Sequence, residues 1–277
     1  MATGQARRWS DIEARRREPI EASFAAVDRR SITMTATAQL LRDTTPCEAL
    51  PYRFVTLWAE LTMPWQAAFE QAWKAYRAGS LPMGAVVVDR NGSIVGRGRN
   101  RIFETAPELP ETQSVFGHRL AHAEINALIS LDHATTNVRE CTLYVTLESC
   151  VLCVGAIRMV GVKDVRYVAR DPIAGGLALL EATDFMRRGE VIAKELGNPV
   201  VAFATIALNV AAHLELVDKW KPDRWQADGL AGVELGQKLF ASGELRQLAE
   251  RATPIAQVLE QLADDYRAAT DRRRIVR

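Results

Sequence analysis

The sequence predicts an α/β protein: three layers, αβα, around a mixed sheet of about five strands, followed by a helical C-terminal extension. Three observations predict it. Strand-like runs alternate with helical patterns between residues 63 and 206. Asn91-Gly92 is a two-residue turn that makes the first two strands an antiparallel hairpin. Residues 207–277 hold few strand runs and three helical patterns.

The elements follow in order. Trp65, Ala68, Phe69, Ala72 and Tyr76 recur at helical spacing, so 64–78 is an amphipathic helix, closed by Gly79 where a left-handed residue is favoured. MGAVVVD (83–89) is a strand, and SIVGRGR after the turn is its partner. A loop from about 101 to 119 carries Pro107 and Pro110. AHAEINALISL (121–131) is a helix, CTLYVTL (141–147) a strand, 150–160 a helix and VKDVRYVAR (162–170) a strand. PVVAFAT (199–205) is a further strand candidate. Helical patterns then fall near 207–218, 230–242 and 254–268.

Texture divides the 277 residues into an N-terminal arm (1–62), expected to be partly disordered, a core domain (63–206) and the extension (207–277). The core has fifteen basic and fifteen acidic residues, and the whole chain a formal charge of +1. Such balance gives no stripe for tracking a phosphate backbone. Four cysteines are too few for a disulfide scaffold. The first thirty residues hold no apolar signal-peptide core, and no window has eighteen continuous apolar residues. The expectation is a reducing, cytoplasmic setting without a membrane.

Two short segments carry chemistry. His122-Ala123-Glu124 begins one predicted helix, and Ser149-Cys150-Val151-Leu152-Cys153 begins another. Cysteines three apart on a helix share a face, so both sulfurs can reach one ion, and a helix N-terminus favours the thiolate. One imidazole and two thiolates suit Zn²⁺. The count is what separates function from scaffolding: a structural zinc site is closed by four protein ligands, whereas three leave a position for water. Zinc acidifies that water from about 15.7 toward roughly 7. Glu124 points to a different side of its helix from His122, where it can take the proton without binding the metal.

The pattern resembles the cytidine/deoxycytidylate deaminase superfamily, with its H-x-E…P-C-x-x-C signature. TLYVTLESCVLCVGAI (142–157), VRYVARDPIAGG (165–176) and LPMGAVVVDRNGSIVGRGRN (81–100) are closest to the tRNA-adenosine deaminase and guanine deaminase branch. The resemblance covers about 63–205 and implies a cytidine-deaminase-like αβα fold and hydrolytic deamination. It implies His122, Cys150 and Cys153 as zinc ligands, Glu124 as general acid/base and Asn100 as a substrate contact. It also implies a homodimer. The sequence departs from the pattern at Ser149, where the family has proline, and in a longer 100–122 segment. Serine is itself a good helix-start residue, since its oxygen accepts an unpaired amide. Glu104, Glu108 and Glu111 in the long segment place acids near the expected mouth, where they would repel phosphate.

His118, a turn before His122, reads as a solvent-facing loop residue and not a ligand. The function read from all this is a zinc hydrolase that removes the amino group of a free nucleobase or nucleoside, releasing ammonia. A nucleic-acid editor, such as a tRNA adenosine deaminase, is the second reading. A catalytically silent interaction module is the third, and the intact Glu124 argues against it.

Overall fold

The computed structural model describes residues 56–105 and 114–275. Of the N-terminal arm, residues 1–55 therefore lie outside the described residues, as do Glu108 and Glu111. The helices are α1 (Leu57–Glu60), α2 (Met63–Arg77), α3 (Ala123–Ile129), α4 (Val151–Val160), α5 (Asp184–Arg187), α6 (Pro199–Leu216), α7 (Gln226–Ser242), α8 (Glu244–Glu250) and α9 (Ile255–Ile275). The strands are β1 (Gly84–Val88), β2 (Ile94–Arg99), β3 (Thr142–Leu147), β4 (Asp164–Ala169) and β5 (Ile192–Glu195), ordered β2-β1-β3-β4-β5.

The sheet is mixed. β1 runs antiparallel to β2 and β3, and β3, β4 and β5 run parallel. At the hairpin, Gly92 takes φ +82°, and Asp89 Oδ1 accepts the Asn91 and Ser93 amides at 2.9 and 2.8 Å. β1 is buried at every position because helices cover both faces of the sheet. On one face Ala127, Leu128 and Ile157 of α3 and α4 pack on Val87, Leu143, Val145 and Val165. On the other face α2 and α6 bring Trp65, Phe69, Ala204 and Leu208 against Leu147 and Val168. The extension helices form a further layer over α2 and α6, with Leu245, Val258, Leu259 and Leu262 buried in the same apolar cluster.

Three boundaries fall elsewhere than the sequence places them. PVVAFAT (199–205) is no strand. It opens the 18-residue helix α6, with Pro199 in the first turn and Asn198 Oδ1 capping the Val200 and Val201 amides. The reason is burial on nearly all sides: a helix apolar all round has no 3.6-residue period to read. Core and extension therefore meet inside one continuous helix and not at 206/207. Residues 57–62, taken with the arm, form α1 and the turn after it, with Leu57 and Leu61 buried and the Trp58 amide donating to Glu260 of α9 at 2.8 Å. The fifth strand is instead the short polar edge Ile192–Glu195. By length and composition α6 could also cross a membrane, but 61% of it is buried inside the protein, as in a core helix.

Candidate metal centre and active site

Both chemistry-bearing segments sit where a helix begins, one after the loop that follows β2 and the other just after the central strand β3. His122 is the N-cap of α3 and Cys150 the N-cap of α4, with Cys153 in the first turn behind it. Two close approaches hold these turns in place. A Cβ on Gly98 of β2 would lie 2.1 Å from the Ala123 carbonyl, so only glycine lets α3 lie this close on the hairpin. A Cβ on Gly176 would meet the Val151 amide at 2.5 Å, so the loop after β4 presses on the Cys150 turn, and the Gly176 amide donates to the Ser149 carbonyl at 2.9 Å. Ser149 is buried, but it precedes the cap and does not supply the capping bond that its residue type suggested.

The structure brings together the donors that the sequence selects. Cys150 Sγ lies 3.4 Å from His122 Nδ1, Cys153 Sγ lies 3.5 Å from it, and the sulfurs are 3.6 Å apart. Tetrahedral zinc, with bonds of about 2.3 Å to sulfur and about 2.0–2.1 Å to nitrogen, asks for roughly 3.8 Å between sulfurs and roughly 3.6 Å between sulfur and nitrogen. The three donors fit. No fourth donor joins them among the described residues.

Electrostatics point the same way. The Cys153 thiol donates to Cys150 and pushes its pKa down to about 4, while the same bond pushes Cys153 up. The pair thus shares a single proton, which a cation displaces. His122 is raised by its bond to Cys150, against the effect of burial, and the Arg119 backbone carbonyl accepts from the ring. Glu124, in the first turn of α3, is buried, and burial raises its carboxyl above the usual range; the Cys150 thiolate adds to the rise.

Asn100 ends the β2 region and is buried. Its Oδ1 accepts from the Ser80 hydroxyl at 2.7 Å and from the Ile102 amide at 3.1 Å. This fixes the amide's orientation, and the Met83 sulfur, at 4.0 Å, is the one partner of Nδ2 among the described residues.

Three supports escaped the sequence reading. Asn126 of α3 clamps the loop, donating to the Arg99 and Val115 carbonyls at 3.1 and 3.0 Å and accepting from the Val115 amide at 2.7 Å. Glu148 holds the loop after β4 by accepting the Asp171 and Leu177 amides at 3.2 and 3.3 Å. A buried-face amide on a short, mostly apolar helix was the available signal for Asn126; Glu148 had none. Glu104 is the third, and it corrects an expectation. It is buried, not at the mouth, and paired with Arg99 at 3.0 Å and Arg101 at 2.8 Å. It therefore offers no negative charge to repel a phosphate.

A cavity of about 640 Å³ opens at His122, lined also by Phe103, His118 and, from the end of α6, Leu216 and Val217. His118 thus lines the pocket as well as facing solvent.

The fold and the donor set define a zinc-binding α/β protein. The model of the cytidine and deoxycytidylate deaminase zinc-binding region matches residues 59–169, and the chain belongs to that family. It is 34% identical over 149 residues to the tRNA-specific adenosine deaminase of Bacillus subtilis, covering 49% of this chain and 83% of that one. It is 37% identical over 112 residues to the tRNA(Ile)-lysidine synthase of Deinococcus radiodurans, covering 40% of this chain and only 17% of that protein's length. Among solved structures, guanine deaminase from Bacillus subtilis overlaps 40% of this chain and 66% of that one, at 27% identity and a TM-score of 0.32.

Proposed function

We propose that this chain is a zinc-dependent hydrolase that removes the exocyclic amino group from a nucleobase ring and releases ammonia. The carboxyl of Glu124, buried beside a three-donor metal centre, supports the reading most directly. A site that only held the fold together would have four protein ligands and no use for a buried acid.

His122, Cys150 and Cys153 hold the zinc, which when bound supplies Lewis-acid activation of the attacking water. Glu124 accepts a proton from that water, delivers it to the ring nitrogen and then assists the departing amine. Burial raises its carboxyl above the usual range, which favours its holding a proton. Asn100, its oxygen anchored, directs its N–H group to the base or sugar.

Within this class, a free nucleobase or nucleoside is supported by the charge balance of the core. Adenosine in tRNA is supported by the Bacillus relative, and the pairing of Glu104 removes one objection to it. The deciding experiment is an ammonia-release screen of zinc-loaded protein across free bases, nucleosides, nucleotides and a tRNA anticodon stem. Release from none of them overturns the proposal.

A second copy is the partner we infer. Val151, Leu152 and Met159 leave an apolar stripe exposed on α4, and sedimentation should give twice the 30.7 kDa mass. A reducing compartment suits the site, because the two sulfurs must stay unlinked to hold the ion.

A further inference from the structure

The cavity over His122 is a composite, and its far wall lies outside the segment that the family model matches. That segment ends at residue 169, whereas Leu216, Val217 and Asp218 come from the end of α6 and the turn beyond it. The near wall carries the donors. Arg99 and Arg101 are engaged by Glu104, but Arg119 is exposed and has no carboxylate partner among the described residues. Next to it, His118 Nδ1 accepts the Leu120 amide at 3.1 Å, which leaves its other nitrogen as an N–H donor. Both residues line the cavity, and a guanidinium and a ring N–H are donors suited to phosphate oxygens. Phe103, 40% exposed, adds an aromatic face. Asp218, which also lines the cavity, pairs with Lys219 at 4.0 Å.

We propose that His118 and Arg119 bind a phosphate attached to the nucleoside being deaminated, with Leu216 and Val217 covering it from the extension. The inference rests on the deaminase reading above. The volume agrees, since about 640 Å³ falls in the range that encloses a ligand larger than one bare ring. Phosphate of this kind has two sources, a free mononucleotide or the backbone of a single-stranded RNA.

The test compares adenosine, cytidine and guanosine with their 5′-monophosphates and with short single-stranded RNAs carrying the same bases. Zinc-loaded full-length protein is used, with ammonia release and calorimetric binding both measured. A phosphate-bearing form should be preferred about tenfold or more in kcat/KM and in affinity. Preference for the monophosphate identifies a free nucleotide; preference confined to RNA identifies the backbone. In Arg119→Ala combined with His118→Ala, the ratio should collapse toward one, while Arg119→Lys should retain part of it. Zinc content, measured on each variant, reports that the site is intact. Equal use of nucleoside and phosphate-bearing forms overturns the inference, as does a preference that survives in the double variant. If no form releases ammonia, the deaminase reading fails, and the binding ratio still decides for or against phosphate contact.

Discussion

Glu124 and His122 are two residues apart, and both are shifted upward, Glu124 by burial and His122 by its bond to Cys150. Glu124→Gln keeps the side chain's size and removes its proton chemistry. It should retain one zinc per chain while ammonia release falls by about 10²–10⁴-fold; zinc loss in this variant would make Glu124 a ligand. His122 must be neutral, and both cysteines must be thiolates, to hold the metal. Because the folded-state pKa of His122 is raised above 6.5, protons begin to compete with zinc above the ordinary histidine range as pH falls. Zinc transferred to a chromophoric chelator, followed against pH, should show release setting in there. His213 is the reverse case. Burial in α6 lowers its pKa below 6.5, against the Asn209 carbonyl and the more distant Asp171, which favour the charged form. The unfolded chain then binds a proton that the folded chain refuses, so stability is lost as pH drops from about 6.5 toward the folded value. His213→Gln should flatten that stretch of the urea-midpoint profile.

At the scale of elements, the site depends on how closely α3 lies on the hairpin. Gly98→Ala puts a methyl group on the Ala123 carbonyl, and neither backbone has room to yield. Overpacking of this kind costs about 1–3 kcal/mol. Because α3 carries both His122 and Glu124, zinc affinity should fall with stability, and one titration of metal against urea would follow both. An equally destabilised variant with unchanged zinc affinity would separate the hairpin from the site. The helix starts and the Asn91-Gly92 turn were legible in the sequence because each depends on two or three adjacent residues. The clamp by Asn126 was not. Its partners, Arg99 and Val115, are distant in sequence, and only the fold brings them within reach.

At the scale of the whole molecule, α6 ties the sheet to the extension, so a cut at 206 would sever the helix that covers one face of the sheet. Leu259 of α9 is fully buried in the same cluster as Phe69 of α2. Leu259→Ala should cost about 2–5 kcal/mol, and it should do so within a single unfolding transition in which zinc is released together with the helices. Two transitions, with zinc retained through the first, would show the extension to be an independent unit.

The sequence alone picked out the three donors that the fold brings together, and the carboxylate two residues after the first of them. His122-Ala123-Glu124 and Cys150-Val151-Leu152-Cys153 are local patterns, and helix geometry over a single turn fixes what each can reach. Four of the five strands were equally plain, because alternation and turn residues act between near neighbours. Tertiary structure decided the rest: that 199–205 is helix, that Glu104 is neutralised by two arginines, and that the end of α6 walls the cavity over His122. Each of these depends on burial or charge pairing between groups from separate parts of the chain or across a folded loop. Such pairings come into being only when the chain packs, so no window of residues read in order contains them.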